Sequence, residues 1–455
     1  MLTGMPRYEL KDGSSNKFWD ITLSGESFTT RWGRIGTDGQ EKTWSFDDAA
    51  TARKEYDKLV REKVKKGYQL VGEGEEGASA SAPELEAAIL QDPDSVEAYL
   101  VYGDWLQRQG DPRGRLIALQ HAAMEARGEE AEQLQEEVSA FIEEHQDALL
   151  GSLVEAMDAA GLEDDLQVEW RLGFIRSARV GRKDSYSERD IAALVKELLA
   201  HPSARFIQEL TIGMVSFDGI NAYEGVLAGL TEVLTRLGGS KTLRRLFIGD
   251  FEYPGDKEIS ASHLADVSPL YTLLPNLRSL RLRGACAELG DIDLPELREF
   301  TLETGGLPRA AVESITTAKW PKLERLEVWF GGDHPGQERR VEELQPILEG
   351  RGLPNLKALG LCNAEFTDAL CRVLPGAKVL PRLERLDLSR GTLSDEGARL
   401  LAENAAAFAH LQHLDVTENA LTEEGQRLVA ALCPSVSAGN QRDFDGDRRY
   451  AAVGE

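Results

Sequence analysis

Along the second half of the chain, apolar residues fall into one recurring frame, apolar-x-x-apolar-x-apolar. The copies are Ile207/Leu210/Ile212, Leu243/Leu246/Ile248, Leu277/Leu280/Leu282, Leu297/Phe300/Leu302, Leu323/Leu326/Val328, Leu356/Leu359/Leu361, Leu383/Leu386/Leu388 and Leu411/Leu414/Val416, with a weaker first copy at Ile175/Ala178/Val180. The alternation that ends each frame is that of a strand with one buried face. Successive starts from Ile207 lie 36, 34, 20, 26, 33, 27 and 28 residues apart, the range of a supersecondary unit that buries its apolar face against its neighbours. Pro275, Pro295, Pro321, Pro354 and Pro381 each precede a copy by two positions, where a strand tolerates a missing donor. Between later copies the pattern turns helical, as in DEGARLL at 395–401 and EEGQRLV at 423–429. The expected architecture is α/β. A parallel sheet with outer helices forms a solenoid over residues 161–436, and residues 437–455 cap its last repeat.

The first 72 residues follow a different pattern. Phe18-Trp19-Asp20-Ile21-Thr22-Leu23 alternates as a half-buried strand does. Phe28-Thr29-Thr30-Arg31-Trp32 continues after the turn signal Ser24-Gly25. Gly33, Gly36 and Gly39 then punctuate the chain, Asp38-Gly39 is a hairpin signal, and Lys42-Thr43-Trp44-Ser45-Phe46 is a further strand. Over residues 47–66, Ala52, Tyr56, Leu59, Val60 and Val64 recur at helical spacing, with Ser45 or Asp47 placed to cap the start. Lys63, Lys65 and Lys66 stand at the helix C-terminus, where the dipole favours cations. This is a small α+β unit. EGEEGASASA, residues 73–82, holds no large apolar side chain and reads as a flexible linker.

Residues 83–160 read as helical. Pro83 opens a helix over 84–90 that Asp92-Pro93 ends. Asp94 or Ser95 caps a second helix containing Tyr99, Leu100, Trp105 and Leu106. Gly110-Asp111-Pro112-Arg113-Gly114 is a turn before a third helix from Arg115, and residues 129–144 are strongly acidic.

Charge sharpens the division. The formal net charge is -26 over 455 residues. Residues 1–70 hold 13 Lys and Arg against 11 Asp and Glu, so +2, which leaves 39 against 67, or -28, for the rest. An acidic body disfavours broad polyanion binding but does not forbid it in a small basic module. Cys286, Cys362, Cys371 and Cys433 are scattered and form no CxxC pair, which argues against zinc and disulfides and points to a reducing cytoplasm. No apolar run approaches the roughly 20 residues of a membrane span, and the opening MLTGMPRYELKDG has no signal-peptide pattern.

On these residues the first segment resembles a WGR domain, the sheet-plus-helix module of poly(ADP-ribose) polymerases that sense DNA breaks and of some bacterial proteins. The resemblance rests on the aromatic-rich strand, the signature Trp32-Gly33-Arg34 with Gly36, the second Trp44 and the basic helix. It implies that Trp32 and Arg34 contact a DNA end or a neighbouring domain, with Lys42, Lys63 and Lys66 as candidate phosphate contacts. Tyr102-Gly103-Asp104-Trp105-Leu106 followed by Gly-Asp-Pro-Arg-Gly resembles a short bacterial repeat-companion module that accompanies leucine-rich repeats. The repeated frame itself resembles leucine-rich repeats, close to the ribonuclease-inhibitor type in the last three copies. The family's Asn, eight residues after the first Leu, occurs only as Asn419; Val215, Phe251, Ala285, Gly305, Gly331, Ala364 and Gly391 hold that place elsewhere.

In such repeats the x positions share a concave face. Its middle column reads Thr211, Phe247, Arg281, Thr301, Glu327, Gly360, Asp387 and Asp415, and the next Gly213, Gly249, Arg283, Glu303, Trp329, Cys362, Ser389 and Thr417. Phe247, Arg281, Arg283, Glu303, Glu327 and Trp329 form a mixed patch of the kind that binds protein, where Trp and Arg anchor interfaces; a merely solvated face is the alternative. Catalytic and ligand motifs are weak. Asp443-Phe444-Asp445-Gly446-Asp447 has its Gly at position four rather than the six of a calcium loop. No HExxH, Walker lysine motif, dinucleotide fingerprint or nucleophile elbow occurs. The expectation is a non-enzymatic interaction protein without cofactor, metal, membrane or small-molecule substrate. It would bind a protein on the repeats and make a nucleic-acid or interdomain contact through the first segment; a DNA-end sensor is the alternative.

Overall fold

The computed structural model describes residues 5–12, 15–24, 26–34, 40–46, 48–66, 68–74, 82–157, 164–332, 341–444 and 449–454. The chain forms two compact units, Met1–Ser81 and Ala82–Glu455.

In the first unit, β1 (Met5–Asp12), β2 (Ser15–Ser24), β3 (Ser27–Arg34) and β4 (Gln40–Ser45) make an antiparallel meander. Helix α1 (Ala49–Lys65) follows, and β5 (Gln69–Gly74) returns beside β1. Tyr56, Leu59 and Val60 of α1 pack on Trp19, Ile21 and Phe28, so the helix covers the sheet's apolar face. Asp48, which was not among the expected caps, caps α1, its Oδ1 accepting from Thr51 N at 2.7 Å. Strands β1 and β5 were not expected. β5 also takes Glu73 and Gly74, the start of the expected linker. Residues 75–81, Asp47 and the Gly36, Asp38 and Gly39 signals lie outside the described residues.

The second unit opens with helices α2 (Pro83–Gln91), α3 (Val96–Arg108), α4 (Pro112–Glu125) and α5 (Glu129–Glu144). Ser95 caps α3. Helix α4 starts earlier than its sequence suggested. Asp111 accepts from Arg113 N at 2.9 Å, and Pro112 takes the first helical position, where its missing donor costs nothing. The expected Gly-Asp-Pro-Arg-Gly turn is thus a cap and a first turn.

Then comes one eleven-stranded sheet. β6 (Leu166–Arg171) and β7 (Phe174–Val180) pair antiparallel. β8 (Glu209–Gly213), β10 (Arg245–Asp250), β12 (Ser279–Arg283), β14 (Glu299–Glu303), β15 (Arg325–Gly331), β16 (Ala358–Ala364), β17 (Arg385–Asp387), β18 (His413–Asp415) and β19 (Val436–Ser437) add one after another in parallel. Every frame from the sequence overlaps one of these strands: the weak copy at Ile175 lies on β7, and each of the others begins two residues ahead of its strand. β9 (Asn221–Ala222), β11 (Ser262–Asp266) and β13 (Ala285–Glu288) form a separate parallel sheet beside it. The second and third apolar residues of each frame are buried in one continuous core with helices such as Ile191–Ala200 and Glu224–Leu237.

Two expected boundaries dissolve. Residues 83–160 and the repeats belong to one unit, because Tyr99 and Tyr102 of α3 meet Phe174 and Phe206 with ring centroids 5.8–6.2 Å apart. Gln120 of α4 also accepts from Gly173 N at 2.7 Å. The helices cover apolar surface that the first strands would otherwise expose. At the other end, β19 crosses the boundary drawn at 436. The tail then runs back to β16, where Asn363 Nδ2 donates to Val453 O at 2.7 Å and Val453 N donates to Asn363 Oδ1 at 2.9 Å.

The expected gap in the asparagine ladder is partly filled by other residues. Asn419 Oδ1 accepts from Leu393 N at 2.9 Å, and its Nδ2 donates to Leu388 O at 2.9 Å. Two repeats earlier, Thr367 Oγ1 donates to Ala364 O at 2.6 Å and accepts from Thr392 N at 3.1 Å. Near β8, Asn221 Oδ1 accepts from Val215 N and Ser216 N at 3.0 and 3.1 Å. Buried loop amides need such partners, and Thr367 and Asn221 supply them from other sequence positions.

Candidate interaction surfaces

The strand register places Thr211, Phe247, Arg281, Thr301, Glu327, Gly360, Asp387 and Asp415 in one column on the face away from the core. The guanidinium carbon of Arg281 lies 4.4 Å from the Phe247 ring centroid, a cation–π distance. Arg281 Nε donates to Glu303 Oε1 at 2.6 Å and Arg283 Nε to Glu303 Oε2 at 2.5 Å. Arg283 is also held by the Phe251 carbonyl at 2.5 Å. Glu303 is 2% exposed, so two arginines replace its water. Glu303 is therefore an interior brace and not the surface contact expected of it. Phe247 and the 43%-exposed Arg281 side chain stand on that brace.

Trp329 departs from expectation in the same direction. It is 9% exposed and packs with Phe251, Ile259, Cys362 and Val453. The Arg390 guanidinium lies 4.8 Å from its ring, and its Nε1 donates to Glu327 Oε1 at 3.0 Å. The two Asn363 bonds hold Val453, which packs with this indole. Glu327 and Asp387 flank a cavity of about 200 Å³ beside Gly360, where a Cβ would come 2.8 Å from Glu327 Cγ. Burial pushes both carboxyls upward; for Glu327, Asp387 and Glu303 add to this against the Trp329 hydrogen bond. The single patch expected from sequence is thus an accessible Phe247–Arg281 platform and, apart from it, a shielded Trp329–Glu327 region.

In the first unit, Trp32 lies opposite Trp19, and Arg34 opposite Lys17, on the face that α1 covers. Lys63, near the end of α1, has its Nζ 5.1 Å from the Trp19 ring and 5.0 Å from the Tyr68 ring. Burial lowers its ammonium pKa, and the positive charges of Lys66 and Lys17 lower it further. Mutual repulsion of this kind marks cations gathered at one place. Lys42 lies apart, opposite Thr30, roughly 13 Å along the strand from Arg34. Its Nζ sits 3.7 Å above the ring of Trp44, which is 41% exposed.

Residues 6–75 match the family model of the WGR domain. This segment is a WGR domain. Residues 380–402 and 409–428 match the leucine-rich-repeat model, which places leucine-rich repeats in that stretch. Two curated Escherichia coli K12 proteins, Uncharacterized protein YfeS and Protein YehF, are 41% and 44% identical over 63 and 64 residues, each 14% of this chain. The matches span 26% and 23% of those proteins, about a quarter of their length. A Bacteroides fragilis crystal structure aligns over 99% of both chains with a TM-score of 0.53 and 21% identity, a likeness of fold alone. A Listeria monocytogenes internalin aligns over 60% of this chain and 92% of its own, with a TM-score of 0.22 and 14% identity.

Of the WGR positions singled out from sequence, Arg34 is exposed, while Trp32 is half-buried over Trp19. Lys63 and Lys66 share their place with Lys17, which sequence reasoning missed. Its signal was cross-strand pairing with the residue two positions after the signature Trp. Among the described residues no group of three or more His, Cys, Asp and Glu is placed to hold a metal ion, and no helix is long and apolar enough to cross a membrane. The calcium-like Asp443–Asp447 stretch falls partly outside the described residues.

Proposed function

We propose that this chain is a non-enzymatic multidomain interaction protein. In this reading the repeats act as a solenoid-type scaffold that binds a protein partner, and the WGR domain makes a second contact. The observation that carries it is the Phe247–Arg281 pair. An aromatic ring and a guanidinium sit 4.4 Å apart, half-exposed, over a fully braced Glu303. Rigid aromatic and arginine side chains held before binding lose little entropy on association and dominate interface energies. Phe247→Ala and Arg281→Glu test it. In quantitative co-purification, each should release a partner retained by the wild type, while Arg399→Gln on an outer helix should not. Equal retention by all four proteins refutes the assignment.

A second reading has its own support in the gathering of Lys17, Arg34, Lys63 and Lys66. In it the WGR domain contacts a nucleic-acid phosphate, with Arg34 as the exposed cation. The full-length chain should bind a short 5′-phosphorylated duplex at low salt, and each phosphate contact should steepen the salt dependence by about one unit in log–log slope. No binding at tens of micromolar, or no change in Arg34→Glu with Lys63→Glu, removes this reading.

A further inference from the structure

The residue after the first apolar position of each frame builds a second column, at the edge of the sheet where the strands begin. Backbone hydrogen bonds set its register. Gln208 N bonds Arg176 O, Arg244 N bonds Gln208 O, Arg278 N bonds Arg244 O, Arg298 N bonds Arg278 O and Glu324 N bonds Arg298 O, all at 2.7–2.9 Å. Lys357, Glu384 and Gln412 continue the column in the same way. Neighbouring steps of such a ladder are about 4.8 Å apart. Its first five steps carry four arginines and one glutamine. Glu324, Lys357 and Glu384 then alternate in sign, and Gln412 is neutral.

The first three steps already hold a carboxylate of the chain itself. Asp94, between α2 and α3, accepts from Arg176 Nη1 at 2.8 Å and from Arg244 Nη1. Gln208 Nε2, between them, donates to the Pro93 carbonyl at 2.9 Å. At the next two steps the arginines are less engaged. Arg298 pairs with Glu324 at 2.7 Å, and the two side chains are 50% and 41% exposed. Arg278 is exposed, and its side chain has no hydrogen bond or ion pair among the described residues. These groups wall an open cavity of about 420 Å³.

We propose that this arginine column binds an acidic peptide segment of a protein partner, seating a carboxylate between Arg278 and Arg298 as Asp94 is seated between Arg176 and Arg244. Planar guanidinium forks take carboxylates through paired N–H donors. Asp94 shows that two arginines of this column, two steps apart across Gln208, hold one carboxylate; Arg278 and Arg298 are adjacent steps, and the same long side chains span that shorter spacing. The surroundings favour a peptide over a nucleic-acid strand. Glu209 and Glu299 also line the cavity, and residues 71–455 carry -28. A strand with a charge at every nucleotide meets repulsion beyond the four arginines, whereas a peptide need present only one or two carboxylates. The assignment rests on the repeats being a protein-binding scaffold, but it uses a different surface from Phe247.

The test is fluorescence anisotropy of labelled hexaglutamate with the full-length chain at low salt. Binding should weaken about tenfold or more in the double variant Arg278→Gln with Arg298→Gln, since two charge-assisted contacts are lost. It should be unchanged in Arg399→Gln and in Phe247→Ala, and added salt should weaken it. Because both substituted side chains are solvent-exposed, the double variant should keep the wild-type melting temperature. No binding at about 1 mM protein, a weak affinity even for a single contact, overturns the proposal. So does an equal loss in Arg399→Gln, or a single-stranded oligothymidylate that binds more tightly through the same two arginines. Loss in Phe247→Ala would move the anion to the sheet face and overturn it as well. Failure of the hexaglutamate test leaves the Phe247 reading intact, because that reading is scored by co-purification.

Discussion

Asn363→Ala probes what holds the tail over Trp329. Asn363 has φ +53, a left-handed conformation that Asn tolerates better than Ala, and placing Ala there costs about 1 kcal/mol. Its side-chain amide exchanges two hydrogen bonds with the Val453 backbone, and both residues are at most 1% exposed. With Ala in place, the Val453 N–H and C=O would be buried without those partners, at about 1–3 kcal/mol each. Together about 2–6 kcal/mol, this is centred above the roughly 1.5–3 kcal/mol gained by burying the valine side chain. Release of the tail end therefore wins over retaining it with two orphaned groups. The neighbouring bond from Ala452 N to Arg390 O, 2.8 Å, opens with it. Hydrogen exchange should show residues 451–454 losing protection by on the order of 10²–10³, equivalent to about 3–4 kcal/mol of local stability. Strands β14 and β15 should keep theirs, and acrylamide should gain access to Trp329. Val453→Ala removes only two methyl groups and should cost about 1–2 kcal/mol. If Val453→Ala loosens the tail as much as Asn363→Ala, or if exchange at 451–454 is unchanged in Asn363→Ala, the amide clamp is not what holds it.

Glu303→Ala should lower stability by about 3 kcal/mol in denaturant titration, because Arg283, with its side chain 17% exposed, loses its counter-charge; Arg281→Ala, more exposed, should cost under about 1 kcal/mol. Burial alone would raise the Asp94 carboxyl, but the bonds from Arg176 and Arg244 outweigh it and hold it at about 2. A depressed carboxyl stabilises fully above about pH 4 and loses that effect as pH falls toward 2. The ceiling is about 2.6 kcal/mol, and with the side chain 48% exposed screening reduces it to about 1 kcal/mol. Asp94→Asn should therefore lower the melting temperature at pH 6 and close the gap to wild type near pH 2. At Gly391 a Cβ would overlap Thr367 Oγ1 and lie 3.0 Å from the Ala364 carbonyl, so Gly391→Ala should cost about 2 kcal/mol. Gly376→Ala, with nothing within 4 Å, should be neutral in the same melting assay.

The repeats were legible because each strand must bury two residues at fixed spacing, and a fixed spacing survives variable loops. The WGR segment was legible for a different reason: Trp32-Gly33-Arg34 is a compact signature, whereas β1 and β5 have no comparable mark. What sequence could not supply was the surface lying over each exposed column. Trp329 occupies an outward position of its strand, as the period predicts, yet Val453, more than 120 residues later, covers it. Periodicity states which side chains leave the core. It does not state which later segment returns to them, since that depends on a few specific bonds such as the Asn363 clamp. Glu303 misled for a related reason. An acidic residue at an outward position reads as solvated, but two arginines from the preceding strand supply the charge that water would have supplied.

Charge tells the same story at larger scale. Counting by segment separated a +2 module from a -28 body and made the body look uniformly hostile to anions. Arg176, Arg244, Arg278 and Arg298 are 68, 34 and 20 residues apart in sequence, so no window of ordinary length reports them as a cluster. In the sheet they lie one or two strand spacings apart, roughly 5–10 Å. At that distance unit charges act on one ligand together, while Debye screening at physiological salt removes most of the influence of acids farther away. A repeat array thus converts sequence period into spatial adjacency for charge as it does for the core. The frame that identifies Leu277 and Leu280 also identifies Arg278 as a column position. Summing charge down that column, rather than along the chain, predicts a basic edge on an acidic protein.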